Sequence, residues 1–410
     1  MPLADDLLTP AASADPYPLL AELREHAPVH WSEAHRAWLV TRYQDNGTAF
    51  ADRALSNDRV RPLIKARVAS GQRPDRVHEM MADWMVVSEP PEHTRLRRLA
   101  ASAFKGQRIA AMTEQVEAVV DRLLDRFLSG RPDRPRDLIS ELAYPLPATV
   151  IATMLGAPLA DRDRFREWSD ELALVAFGTG GEARAERHER ALRGLKEMED
   201  YFRELVVVRR AEPSGDMLSA MMARDPDNPG DRLSDDELIA MCALLLFAGH
   251  ETTMNSIANG MLALLRHPEQ LARFAEQPDL TGTAVEELLR YDGPIKVLNR
   301  WVMAETELAG KTIRPGERVH LVLAGANRDP ARFADADRLD LARTPNPHIA
   351  FGKGIHACLG AQLARLETRI ALRRIVDRVP GLRLAGEPLW KPSLASRSLQ
   401  TLPVAIPSPP

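Results

Sequence analysis

The run from Ser234 to Leu265 constrains the fold more than any other segment. Ser234-Asp235-Asp236-Glu237 has the form of a capping box, in which serine and glutamate satisfy each other's backbone donors at a helix start. The pattern that follows is apolar around much of the helical circumference, and His267-Pro268 stops it. At about 1.5 Å per residue, such a helix is on the order of 45 Å long. A helix of that length, apolar on most sides, has to run through the middle of a large domain.

The rest of the chain supplies the layers such a helix needs. Helical patterns are predicted over 91–105, 108–129, 137–155, 160–176, 184–211, 279–291 and 359–377. Asp15-Pro16 opens another helix with the stripe Leu19, Leu20 and Leu23. Val29–Trp31 and Ala37–Val40 read as two short strands joined by a turn. The stretch 296–321 is β-rich, with turns at Ala309-Gly310 and Pro315-Gly316, and a second β region is expected around 381–385 and 400–404. The expected class is mainly α with minor β: a single large helical unit over 1–410 with a small β-rich region. The polar, Pro-containing stretches Arg131–Arg136 and Asp225–Gly230 read as surface connections within it, and no internal repeat is visible.

Charge and cysteine content narrow the function. A formal net charge of −4 gives no global basic field for nucleic acid or an anionic membrane. Two cysteines, Cys242 and Cys358, make neither a disulfide framework nor a four-thiolate metal site, and they suit a reducing compartment. The first residues lack the basic and apolar regions of a secretory signal. No run approaches the roughly 20 apolar residues of a membrane span; Met241–Ala248 is soon interrupted by Gly249, His250 and Glu251. A cytoplasmic protein without nucleic-acid or membrane partners is therefore expected.

The segment Phe351-Gly352-Lys353-Gly354-Ile355-His356-Ala357-Cys358-Leu359-Gly360 carries the strongest chemical signal. Its glycines allow a tight loop with close backbone approach. Cys358 falls where Leu359, Leu363, Leu366 and Ile370 begin a helical stripe, and a helix N-terminus favours a thiolate able to ligate metal. A lone cysteine is more often a small buried hydrophobe; the ten-residue context reverses that reading. The segment resembles the haem-binding loop of the cytochrome P-450 family: phenylalanine, two spaced glycines, a basic position filled by His356, the cysteine and Gly360. The resemblance implies the cytochrome P-450 fold, haem b (iron protoporphyrin IX) as cofactor and Cys358 as axial iron ligand.

Three further constellations follow the family's order, and the resemblance covers essentially the whole chain. Glu287-Leu288-Leu289-Arg290 places an acid and a base on one helix face. Alone it would be an ordinary surface ion pair; by resemblance it is the family's structural pair behind the haem loop, with Arg338 and Arg343 both candidates for a third partner. Ala248-Gly249-His250-Glu251-Thr252-Thr253 interrupts the long helix with residues poorly suited to a buried interior. The bland reading is a threonine bonding its own helix and a solvated acid. The resemblance makes Ala248 and Gly249 the space for dioxygen, and Glu251 and Thr252 the acid–alcohol pair that delivers protons. His250 is read as facing a neighbouring helix or water. Finally, His93 and Arg97 lie four apart on one face. By resemblance they bind haem propionates, as do Arg300 and His356, where guanidinium forks suit carboxylates.

The family chemistry is that of a monooxygenase that activates dioxygen to hydroxylate or epoxidise a small or medium organic substrate, in secondary-metabolite tailoring or catabolism. Oxidative coupling on the same fold and a non-catalytic haem sensor are the alternatives. The chain has no Gly-rich flavin or nicotinamide fingerprint, so electrons are expected from a ferredoxin or flavodoxin fed by an NAD(P)H reductase. Lys105, Arg108, Arg365, Arg369, Arg373 and Arg374 are candidates for its docking face, against the plain reading of solvated helix faces. Leu244, Phe247, Lys296, Val297 and Leu399 are the expected pocket residues, with Gly178–Gly181 as a lid hinge. Lys296 is the odd one among them: an anionic substrate, a propionate or solvent could each take its charge.

Overall fold

The computed structural model describes residues 5–74, 76–130, 134–176, 184–223 and 230–406. The chain forms two compact units: Met1–Leu55 with Thr113–Pro147 and Glu251–Pro410, and Ser56–Met112 with Ala148–His250. The long helix is continuous from Asp235 to Arg266, so both units draw on it, the division falling after His250. Its capping box forms in both directions: Ser234 N donates to Glu237 Oε2 at 2.8 Å, and Glu237 N donates to Ser234 Oγ at 3.2 Å. Among the described residues it is the one helix long and apolar enough to cross a membrane, yet 72% of its most apolar window is buried by protein, which makes it a core helix.

The second unit is helical. Its longest elements are Arg162–Ala176, Arg184–Ala211 and the first half of the long helix. Every residue from Leu238 to Phe247 is buried, which is why this stretch shows no polar stripe. Phe247 stacks on Trp84, ring centroids 5.3 Å apart.

The first unit combines the strands with the helices that follow them. Four strands of its main sheet are β1 (Val29–Ser32), β2 (Ala37–Val40), β3 (Val297–Val302) and β4 (Arg318–Val322), in spatial order β1-β2-β4-β3. β2 and β4 run parallel, with Leu39 opposite His320; the other pairs are antiparallel. The strand period of two divides β3 between two cores. Val297 packs with Leu7, Leu20, Leu23 and Leu39, whereas Leu298 and Val302 join the cluster of Val40, Leu55 and Ile349.

Helices Thr281–Asp292 and Ala361–Arg378 complete the first unit beside the second half of the long helix. Gly260 makes that packing close: a Cβ there would sit 3.3 Å from Leu372 and 3.4 Å from Leu288. The predicted helices are present, with two internal breaks. The run 108–129 divides at Met112, and 137–155 becomes a π-helical turn, Ile139–Ala143, before Pro145–Met154. Pro145 and Pro147 occupy the first turn of that last helix, where they cost no hydrogen bond. Several short helices lack enough turns for a visible period, among them Tyr43–Ala51, Arg61–Ala69 and Arg76–Ala82. The expected hinge Gly178–Gly181 lies outside the described residues, as do 131–133 and 224–229 of the two polar connections.

Glu287 and Arg290 are both buried, with fully covered side chains, so the pair is no surface bridge. Arg290 donates to Glu287 through Nε at 2.7 Å and Nη2 at 2.8 Å, and to the carbonyls of Asn327, Ala336 and Arg338. The third partner is Arg343, whose Nε lies 3.1 Å from both Glu287 oxygens; Arg338 contributes only its carbonyl. Asn346 Nδ2 and Asp340 N complete the carboxylate's shell. Each charge is therefore paired and hydrogen-bonded, the condition under which a buried pair persists. Replacing Arg290 by leucine leaves the buried Glu287 charge with Arg343 as its one cation among the described residues and removes the donor to three carbonyls. The expected loss is about 3–5 kcal/mol of stability, to be measured by urea denaturation, with Arg338→Ala nearly neutral beside it.

Candidate active site

The cysteine loop owes its shape to two glycines and to the helix behind it. Gly352 and Gly354 have φ of +69° and +73°, a left-handed conformation that strains any residue with a Cβ. Gly352 N donates to Ile349 O, and Cys358 N donates to Phe351 O at 2.9 Å, closing the loop on itself. Phe351 packs against Val285, Leu289 and Ala350, and the Arg365 guanidinium lies 4.3 Å from its ring centroid. The loop ends at helix Ala361–Arg378, three residues past Cys358.

Glu286 ties this loop to helix Thr281–Asp292 and was not singled out by the sequence pattern. Arg365 Nε donates to it at 2.6 Å and Nη2 at 2.9 Å, and His348 Nε2 lies 3.0 Å away. Burial alone would raise its pKa. The bonds from His348 and Arg365 outweigh burial and hold it at about 2. Adjacent acids on one helix thus serve different neighbours: Glu286 holds His348 and Arg365 on either side of the cysteine loop, Glu287 the segment before it. The contrast with an ordinary cysteine lies within the same chain. Cys242 is fully covered, and burial pushes its thiol well above the ordinary range, so it stays protonated; Cys358 is exposed.

The oxygen-activation segment is where the long helix opens. After ten buried residues, Ala248 is exposed and Gly249, Glu251 and Thr252 are partly exposed; burial resumes at Thr253. A core helix with an accessible window in its middle faces space at that point. Ala248 and Gly249 belong to the second unit, and a Cβ on Gly249 would meet Ile151 only at ordinary contact distance, 3.5 Å. Glu251 and Thr252 belong to the first; Ser256 Oγ donates to the Thr252 carbonyl at 2.9 Å. His250 turns the other way, to Ser169 Oγ at 3.4 Å on helix Arg162–Ala176, as its sequence reading had it.

The cationic residues also divide. In the second unit, His93 is buried and Arg97 half-buried on helix Glu92–Ala101. In the first, Arg300 is buried with its guanidinium 5.5 Å from the Phe50 ring centroid, and His356 is half-buried in the cysteine loop. Among the expected pocket residues, Leu244 and Phe247 keep a little accessible surface, and Lys296 is buried. Val297 and Leu399 keep essentially none, at 1% and 0%. Val297 packs on the strand face turned to the Leu7–Leu39 core, and Leu399 lies on the short strand Leu399–Thr401. The basic docking residues of this unit are likewise less free than expected. Arg365 holds Glu286, Arg373 holds Asp377, and Arg374 pairs with Glu117; Arg369 remains exposed.

These residues fit a haem: an exposed thiol on a rigid loop at a helix start, an accessible window in a core helix, and cations suited to propionates. Comparison with known proteins decides the matter, because the family model described as Cytochrome P450 matches residues 64–379. The chain belongs to the cytochrome P450 family. It is 41% identical over 402 residues to cytochrome P450 monooxygenase PikC of Streptomyces venezuelae, covering 96% of this chain and 91% of that protein. The crystal structure of CalO2 superimposes with a TM-score of 0.90 at 32% identity, covering 99% of both chains. P450BioI, in complex with acyl carrier protein carrying hexadec-9Z-enoic acid, does so with a TM-score of 0.86 at 34% identity, covering 98% of this chain and 100% of that one. This cytochrome P450 is an oxygen-incorporating oxidoreductase with haem as cofactor, and it acts on an organic substrate with dioxygen and an external electron donor.

Two outcomes follow. Cys358→Ser abolishes the red-shifted Soret band that the reduced carbon monoxide complex shows under thiolate ligation, and Cys242→Ser keeps it. The depressed Glu286 pKa stabilises the fold above the ordinary value of 4.5, and that contribution disappears as the pH falls through about 2. Glu286→Gln is accordingly less stable at neutral pH and loses less between pH 4.5 and 2, as urea titrations across that range would record.

Proposed function

We propose that this chain is a bacterial tailoring monooxygenase, hydroxylating or epoxidising a small or medium organic molecule within one catalytic unit. The observation that carries the reading is the exposed Cys358 thiol, held on its glycine loop by Phe351 and Glu286's partners. Its similarity to PikC, a monooxygenase, and to P450BioI, bound to acyl carrier protein carrying hexadec-9Z-enoic acid, supports an organic substrate. The electron donor is a ferredoxin or flavodoxin reduced by an NAD(P)H reductase, and the compartment is the cytoplasm.

Each residue then has a task. Cys358 ligates the iron, with Gly352 and Gly360 giving the backbone room and Phe351 fixing the loop. His93, Arg97, Arg300 and His356 hold the two propionates, their charges matched to carboxylates. When bound, haem supplies the activation and cleavage of dioxygen, which a thiolate ligand favours. Ala248 and Gly249 keep side-chain bulk out of the opening in the long helix. Thr252 offers a hydroxyl hydrogen bond at Oγ1, and the Glu251 carboxyl holds and passes protons beside it. Ser256 Oγ donates to the Thr252 carbonyl one turn back in the same helix. Leu244, Phe247, Lys296, Val297 and Leu399 are the residues assigned to the substrate.

The test uses the holoenzyme with a surrogate ferredoxin and reductase. Glu251→Gln lowers the turnover rate about 100-fold, the lower end of general-acid contributions. Thr252→Ala continues to consume NAD(P)H but converts less of it into oxygenated product. Equal coupling in Thr252→Ala and the parent would overturn the proton-delivery assignment.

A further inference from the structure

Lys296 is a charge without a counter-ion. It is 3% exposed, and among the described residues no hydrogen bond or ion pair reaches its ammonium. The acid that acts on it is already used: Asp292 accepts from Tyr17 Oη at 2.6 Å and from Arg397 Nε at 2.9 Å. Arg397 is in turn spent on Asp292, on the carbonyls of Ser13 and Ala14, and on the face of Trp390. Burial lowers the Lys296 pKa to about 8, Arg397 pushes the same way and Asp292 opposes. The remaining nearby base, His35, is pushed by burial toward its neutral form. Among the described residues, Lys296 is thus left with no acid of its own.

A buried, unpaired ammonium is destabilising, and an apolar side chain of similar length would remove that cost. Local rule-breaking of this kind marks a functional position. The backbone at Lys296 is fixed: its N donates to Ala395 O at 2.8 Å, and its carbonyl accepts from Ala324 N. Two residues on, Leu298 Cδ1 lies 3.7 Å from where a Cβ on Gly352 would stand, so this strand runs against the cysteine loop. We propose that Lys296 receives the carboxylate of the substrate, and that the molecule oxidised is an organic monocarboxylate. A single uncompensated cation matches one negative charge. A phosphate dianion would need a second free cation, and Arg397 is not one.

The inference rests on the monooxygenase reading above. Its test is equilibrium binding to the haem-loaded protein, followed by spectral titration and calorimetry. The probes are straight-chain and phenyl-substituted carboxylic acids, each paired with its methyl ester. The parent is expected to bind at least one acid tenfold or more tightly than its ester. Lys296→Met is expected to lose that preference, with ester affinity changed less than threefold and the thermal midpoint raised by removal of the buried charge. Lys296→Arg retains a preference for the acid. No acid preference in the parent, equal losses for acid and ester, or a lowered midpoint with both ligands weakened would each overturn the proposal. The reduced carbon monoxide spectrum separates the two levels: without the thiolate band in the parent the haem reading fails, and with it only the Lys296 assignment is at stake.

Discussion

Glu287 and Arg290 hold opposite charges away from water, and everything on the cysteine side of the first unit is arranged around that pair. Residues 327–349 form almost no regular structure, so few backbone ladder bonds are available to order them. Side chains do that work. Arg290 takes up three main-chain carbonyls, Glu287 accepts from Arg343, Asn346 and the Asp340 amide, and Asn327 accepts from the Ile349 amide at 2.8 Å. Both charges of the pair are hydrogen-bonded, which is what a low-dielectric interior requires of buried charge. From Ile349 the chain passes directly into the loop that presents Cys358.

The long helix shows the complementary device. Its length and cap were legible because a capping box and an all-round apolar pattern are local signals. Its functional window was legible for the opposite reason: glycine, acid and hydroxyl residues contradict a buried helical interior, and the structure leaves Ala248, Gly249, Glu251 and Thr252 accessible there. Two of the motif positions, Thr253 and His250, are buried instead, which separates residues that open the helix from those that pack it.

What sequence could not reveal was long-range partnership. Arg338 and Arg343 are five apart in one irregular segment, and nothing local distinguishes the one whose guanidinium reaches Glu287. Glu286 looked like an ordinary neighbour of Glu287, because His348 and Arg365 lie 62 and 79 residues away. Arg365 was read as part of a solvent-facing basic patch for the same reason. Which face of its strand Val297 takes is set by the sheet register, here Val297 opposite Val322, and a one-residue shift exchanges the faces. Short helices such as Arg76–Ala82 escaped because seven residues are two turns, too few to show a period.

The side chains on helix Thr281–Asp292 also imply an order of assembly. The segment 327–349 is held by Arg290 and Glu287, and the cysteine loop by Glu286, Val285 and Leu289, all on that one helix. A newly made chain in which this helix has not docked has neither the approach to the loop nor the loop itself in place. The placement of the loop is thus a product of tertiary folding as well as of the glycine-cysteine motif.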